Sequence, residues 1–216
     1  MHKVEKYPTI SAMDPASKQS GIACGRHETT GLVLAGGAGR RVQGRDKGLI
    51  SWQGQPLVAH AANTLRPLVS ELLISCNRHR DRYVSLADRV IPDHRSGYQG
   101  PLAGLEAATG LVTTPLLLVA PCDMPGVPEG VFVRLLETLS SPRGHYLDAA
   151  YLHSGRRDYY LCLALRTGAL AGLAEHLDSG RRSVGGWLAT LNAERLTMDL
   201  LADQRRNINK ISAPQP

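Results

Sequence analysis

Aromatic side chains are scarce in this chain of 216 residues, which holds one Phe, two Trp and seven Tyr, and its 25 Lys and Arg residues are not interleaved with them. Single-stranded nucleic acid is held by stacking bases on aromatic rings within a basic groove, so nucleic acid is the weaker partner for this charge. Cysteine is sparse too. Cys24, Cys76, Cys122 and Cys162 are widely spaced, with no C-x-x-C pair and no histidine at zinc-ligand spacing, so they read as reduced, buried thiols of a cytoplasmic protein. No apolar run approaches the roughly 18 residues of a membrane span. Residues 1–28 include Glu5, Asp14 and Glu28 and lack both an apolar core and an acid-free Arg-rich helix, which argues against secretion and organelle import. They read as a disordered leader. Repeats, heptads and low-complexity tracts are also missing.

What is present is a basic chain of ordinary hydrophobic content. The net charge is +6 and the sequence pI about 9.4. That balance suits a polyanion, and with nucleic acid disfavoured it points to a nucleotide or a phosphorylated cofactor. The length fits one domain, placed at 29–211 with a short tail at 212–216.

Apolar runs of strand length lie at 31–35, 71–75, 88–91 and 115–120, and stretches with helical spacing at 56–66, 80–86 and 101–111 separate them. Strands alternating with helices imply right-handed βαβ units, hence an α/β fold of three layers with a mostly parallel twisted sheet and helices on both faces. The run Leu116–Ala120 predicts the central strand. Further helices are predicted at 128–139, 168–177 and 183–191 and a strand near 194–199. Runs at 147–152 and 159–165 flank Ser154-Gly155-Arg156-Arg157 and predict a hairpin that adds antiparallel strands.

Ligands of such sheets collect beyond the carboxyl ends of the strands. There the first strand empties into Leu34-Ala35-Gly36-Gly37-Ala38-Gly39-Arg40-Arg41, with Gly44 and Asp46-Lys47-Gly48 following. Glycines let main-chain N–H groups approach an anion closely, and Arg40, Arg41 and Lys47 supply countercharge. The spacing is neither the dinucleotide fingerprint nor a Walker loop, because Val42 stands where a third glycine belongs and Gly44 is followed by Arg45. The same edge receives Asn77, Asp93 and Asp123. A carboxylate directly after the most apolar strand calls for a cation, for which magnesium with phosphate oxygens is the natural partner; a turn cap before Pro125 is the plainer role for Asp123, and a turn for Asp93 and Asn77. Gly100-Pro101 opens a helix whose free N–H groups suit an anion. Asn207-Ile208-Asn209 sets two amides on one face of an extended segment.

In this order and spacing, L-A-G-G-x-x-x-R, D-K-G, Asn77-Arg78-His79, Pro92-Asp93, Gly100-Pro101-Leu102-Ala103-Gly104, Pro121-Cys122-Asp123-Met124-Pro125 and Asn207-Ile208-Asn209 resemble the molybdenum cofactor guanylyltransferases, from about Thr30 to Asn209. The resemblance implies a nucleotide-diphospho-sugar transferase-like fold and transfer of GMP from GTP to molybdopterin, with pyrophosphate released. It implies that Leu34, Ala35, Gly36, Gly37, Lys47, Asn77, Asp93 and Asp123 bind GTP. Lys47, Arg41 and Asp123 then carry catalysis, with Asp123 on Mg2+, while Gly100, Pro101, Arg182, Asn207 and Asn209 lie toward the pterin. Proteins that insert molybdenum or accept the finished cofactor are the implied protein partners. The chain departs from the family at Val42-Gln43, where Met-Gly is usual, at Tyr159-Tyr160, where a proline is common, and at Lys210-Ile211, where Thr-Pro is usual. Two other readings stay open: a cytidylyl or sugar-phosphate nucleotidyltransferase, whose first loop typically reads L-A-A-G, and a non-catalytic GTP-binding regulator.

Overall fold

The computed structural model describes residues 26–37 and 45–208. Its strands are β1 (Thr29–Leu34), β2 (Ser51–Trp52), β3 (Gln55–Pro56), β4 (Glu71–Ser75), β5 (Arg89–Ile91), β6 (Leu116–Pro121), β7 (Ala149–Ser154), β8 (Arg157–Arg166) and β9 (Ala193–Thr197). Its helices are α1 (Leu57–Leu65), α2 (Pro101–Ala108), α3 (Glu129–Ser140), α4 (Leu173–Asp178) and α5 (Val184–Leu188). Seven strands make one sheet in the order β5-β4-β1-β6-β8-β7-β9, which puts β6 in the middle as its apolar run predicts. Every residue of β1 and β6 is buried.

Both faces of the sheet are covered, and the alternation of side chains along β1 shows how. Val33 joins the core under α1 and α3 with Val58, Leu65, Phe132 and Leu135. Leu32 and Leu34 join the opposite core under α2, α4 and α5 with Leu102, Leu105, Leu173 and Trp187. β6 divides in the same way, Leu118 to the first core and Leu117 and Val119 to the second. This is the three-layer architecture that the alternating pattern implied.

Several boundaries differ from expectation. The hairpin forms where predicted, but only β8 runs against the sheet, because β7 pairs antiparallel with β8 and β9 then pairs parallel with β7. The predicted helix at 80–86 is a single 3-10 turn, Arg80–Arg82, entered through a left-handed His79 (φ 46°) and followed by Tyr83, which is buried in the core. The helix expected at 168–177 is divided into a 3-10 segment, Thr167–Gly172, and α4; Gly168 and Gly172 weaken helix propensity there. Residues 1–25 of the expected leader lie outside the described residues; Arg26–Glu28 form a 3-10 turn, pinned by Arg26 Nε donating to the Val69 carbonyl at 2.7 Å. The small β2–β3 hairpin was not foreseen; Gln53 and Gly54 both have positive φ (48° and 81°), as a type I′ turn requires.

Candidate active site

The parallel half of the sheet brings its strand ends to one level. β1 is in register with β4 and β6, Leu34 lying opposite both Ser75 and Pro121, and Ser75 lies opposite Ile91 of β5. The main-chain ladder runs one residue further: Ala35 N donates to Ser75 O at 2.8 Å, Cys76 N to Ile91 O at 2.9 Å and Cys122 N to Leu34 O at 3.1 Å. The next residues to leave the sheet are therefore Gly36, Asn77, Asp93 and Asp123, side by side on the carboxyl edge.

Two clusters form along this edge. In the first, Asn77 Nδ2 donates to Asp93 Oδ2 at 2.7 Å and to the Gly36 carbonyl at 3.3 Å, while its Oδ1 accepts from Asp93 N at 2.8 Å. Ser75 Oγ, on a buried side chain, adds a bond to Asp93 Oδ1 at 3.2 Å. The Asn77 side chain thus ties the end of β1 to the end of β5, and Gly36 lies against this knot, where an added Cβ would stand 3.2 Å from Asn77 Nδ2. In the second, Lys47 Nζ meets Asp123 Oδ2 at 2.6 Å, with the two side chains only 18% and 22% exposed. Asn207 Nδ2 donates to the same oxygen at 2.9 Å, and Lys47 Nζ reaches Asn207 Oδ1 at 3.5 Å. A half-buried charge is costly alone, and pairing relieves that cost for both groups.

Asn207, which the resemblance sets toward the pterin with Gly100, Pro101 and Arg182, thus touches the Lys47–Asp123 pair. The Ile208 amide donates to the Asp123 carbonyl at 2.8 Å, and this main-chain bond carries Asn207 onto the Lys47–Asp123 pair. Gly100 takes a left-handed φ of 87° to open α2 at Pro101. Arg182 is brought to that turn by long reach: its Nε donates to Gln99 Oε1 at 2.7 Å and its terminal nitrogen to the Leu177 carbonyl. The same segment is gripped by Arg95, which pairs with Glu106 on α2 at 2.6 Å and with Asp178 on α4 at 2.6 Å. Neither Arg95 nor Gln99 carried a recognisable signal in the sequence. Gly37 is exposed at the end of the described stretch after β1. Arg41, with Arg40, Val42, Gln43 and Gly44, lies outside the described residues, as do Asn209 and Lys210-Ile211. Of the Tyr159-Tyr160 departure, Tyr160 rests against Tyr151 with ring centroids 5.1 Å apart and donates to Asp158 Oδ2 at 3.1 Å.

The thiols beside the site are not nucleophiles at neutral pH. Burial, with help from the Asp46 charge, pushes Cys76 up to about 11, and burial lifts the fully enclosed Cys122 further. No group of three or more His, Cys, Asp and Glu that could enclose a metal occurs among the described residues. Asp123 still fits magnesium. It is a hard carboxylate at the sheet edge, Lys47 and Asn207 both engage its Oδ2 rather than Oδ1, and Mg2+ is ordinarily held by one or two carboxylates together with substrate phosphates and water.

A mostly parallel sheet whose carboxyl edge sets a lysine–aspartate pair beside an Asn–Asp knot has the layout of an α/β enzyme site. The model of the MobA-like NTP transferase domain matches residues 31–194. A molybdenum cofactor guanylyltransferase of Pseudomonas aeruginosa is 50% identical over 179 residues, 82% of this chain and 88% of that protein. One of Shewanella sediminis is 38% identical over 161 residues, 74% and 81% of the two chains. Among solved structures, molybdopterin-guanine dinucleotide biosynthesis protein A of Archaeoglobus fulgidus superposes with TM-score 0.63 at 23% identity, covering 78% of this chain and 83% of that one. A 4-diphosphocytidyl-2C-methyl-D-erythritol synthase of Anaerococcus prevotii superposes at 0.66 with 9% identity over 88% and 94%, a likeness of fold alone. The chain belongs to the MobA-like NTP transferase family.

Proposed function

We propose that the protein transfers GMP from GTP to molybdopterin, releasing pyrophosphate and forming molybdopterin guanine dinucleotide. The observation that carries this reading is the Lys47–Asp123 pair at 2.6 Å, set on the same sheet edge as the Asn77–Asp93 knot, in a chain half identical to a curated guanylyltransferase. A phosphate oxygen of molybdopterin attacks the α-phosphorus of GTP. The new P–O bond forms as the bond to the β-phosphate bridging oxygen breaks, and pyrophosphate leaves with that electron pair. The attacking phosphate has a second pKa of about 6 and is already ionised at neutral pH, so no general base is required.

What is required is relief of repulsion between two anions and countercharge for the leaving group. Lys47 places a fixed ammonium there, and Arg41 is assigned to the same task. Leu34, Ala35, Gly36 and Gly37 line the nucleotide side, with Asn77 and Asp93 offering donors and acceptors to base or ribose. Asp123 would hold Mg2+, which supplies a Lewis acid and a template for the phosphates. Gly100, Pro101 and Arg182 are assigned to the pterin, Asn207 to the boundary between the two substrates, and Asn209 follows it in the chain. No helix among the described residues is long and apolar enough to cross a membrane. A cytoplasmic setting, with proteins that insert molybdenum or accept the cofactor as partners, completes the proposal. Offering GTP, CTP and ATP in parallel with molybdopterin and magnesium tests it: pyrophosphate with GTP alone is expected, and release with CTP alone overturns it in favour of a cytidylyltransferase.

A further inference from the structure

Lys47 stands on a single 3-10 turn, Lys47–Leu49, which follows a chain segment outside the described residues. So short an element has no stiffness of its own; its main-chain bonds are Leu49 N to Asp46 O and Ile50 N to Lys47 O, both 3.2 Å. Whatever fixes the ammonium at 2.6 Å from Asp123 must come from elsewhere in the molecule.

One contact that reaches the turn comes from the crossover between β4 and β5. Tyr83 is wholly buried, and its hydroxyl donates to Asp46 Oδ1 at 2.5 Å, across 37 residues of sequence. The same Asp46 oxygen accepts from Gly48 N at 3.2 Å, capping the turn, and Oδ2 faces His79 Nδ1 at 3.2 Å. The Asp46 side chain is only 8% exposed. Gly48 packs directly on the ring: a Cβ there would lie 2.5 Å from the Tyr83 hydroxyl oxygen and 3.1 Å from Cε1. Gly48 is not among the positive-φ glycines, so its need for glycine is this close approach rather than its backbone angle. Burial and the hydrogen bond to Asp46 hold the phenol well above its ordinary value, so Tyr83 is a donor throughout the working pH range.

The geometry points to Tyr83 as a positioning residue for the transfer reaction, one that fixes Lys47 through Asp46 and Gly48 without touching either substrate. Asp46, Lys47 and Gly48 then have three separate jobs: Asp46 accepts the phenol and the Gly48 amide, Lys47 reaches Asp123, and Gly48 leaves room for the ring. The inference rests on the proposal that Lys47 serves guanylyl transfer.

Tyr83→Phe keeps the ring and removes only the donor. With one hydrogen bond to a charged group lost, turnover is expected to fall about tenfold while KM for GTP stays within about twofold. Hydrogen exchange at the Gly48 amide is expected to quicken, with exchange in β1 and β6 unchanged. A second variant reads the contact from the other side. Gly48→Ala is expected to lose activity through its clash with the hydroxyl, and Gly48→Ala/Tyr83→Phe to recover part of it, because the shortest contact is gone. Turnover of Tyr83→Phe within twofold of wild type, unchanged Gly48 exchange, or activity loss that tracks only the folded fraction overturns the proposal. If the wild type releases no pyrophosphate from GTP, the guanylyl reading fails instead, and Gly48 exchange in Tyr83→Phe still decides whether the phenol holds the turn.

Discussion

Two halves of the candidate site hold their residues in different ways. On the parallel side, Gly36, Asn77, Asp93 and Asp123 each stand two residues past the end of a strand, and main-chain register alone brings them level. Around the start of α2, side chains take over that task. Arg182 reaches Gln99 from beyond α4, and Arg95 crosses from the loop before α2 to Glu106 and Asp178. The edge assigned to the nucleotide is thus levelled by backbone, and the turn assigned to the acceptor is held by arginine reach. Substitutions should reveal that difference as a split between chemistry, GTP binding and acceptor binding.

The largest effect is expected at the Lys47–Asp123 pair. Lys47→Ala or Asp123→Ala should lower turnover about 10²-fold or more, the scale for losing one preorganised electrostatic contact; steady-state pyrophosphate release checks this, and a change of only a few-fold removes that residue from the mechanism. Next comes Asn77→Ala, which strips Asp93 N and Asp93 Oδ2 of their partners. Unsatisfied buried groups cost about 1–3 kcal/mol, so KM for GTP should rise about tenfold or more with the acceptor KM little changed. Arg182→Ala should do the reverse, raising the acceptor KM about fivefold, in keeping with about 1 kcal/mol for one hydrogen bond, and leaving GTP alone. If Asn77→Ala and Arg182→Ala move the same constant, the division between halves is broken.

The smallest effect concerns stability at the edge of the parallel half. The Leu72 amide, donating at 2.7 Å, and then Arg66 hold the Asp88 carboxyl below its ordinary 3.8. A depressed folded-state pKa stabilises the fold above the unfolded value and loses that contribution as pH falls through the folded one. Asp88 is 44% exposed, so solvent screening keeps the effect under about 1 kcal/mol. Denaturant melts of wild type and Asp88→Asn should differ at pH 7 and converge as the pH falls from the unfolded value near about 3.9 through the lower folded one.

The same contrast explains what could be read from the sequence. Strand-end residues of a parallel sheet are legible because an apolar run has a definite end and register does the rest; Leu116–Pro121 and Asp123 are the clearest case. The central position of β6 and the helices on both faces followed from the same pattern. Arg95 and Gln99 were not legible, since an arginine in a loop carries no mark of what it will reach. Asn207 was legible as a candidate, but its contact with Lys47 and Asp123 was not, because the bond from Ile208 N to Asp123 O is a tertiary contact between residues 85 positions apart. Tyr83 was hidden inside a predicted helix at 80–86 that proved to be one turn, released into the core by a left-handed His79. The single reversed strand, β8, also depended on pairing that periodicity does not specify.

The central claim is that the α-phosphorus of GTP is the atom attacked on this sheet edge. GTP labelled separately at the α- and γ-phosphates, incubated with the protein, magnesium and molybdopterin, tests it most directly. The account predicts α-label in the pterin product and γ-label only in pyrophosphate. Finding γ-label in the pterin product, or as inorganic phosphate without pyrophosphate, would contradict it.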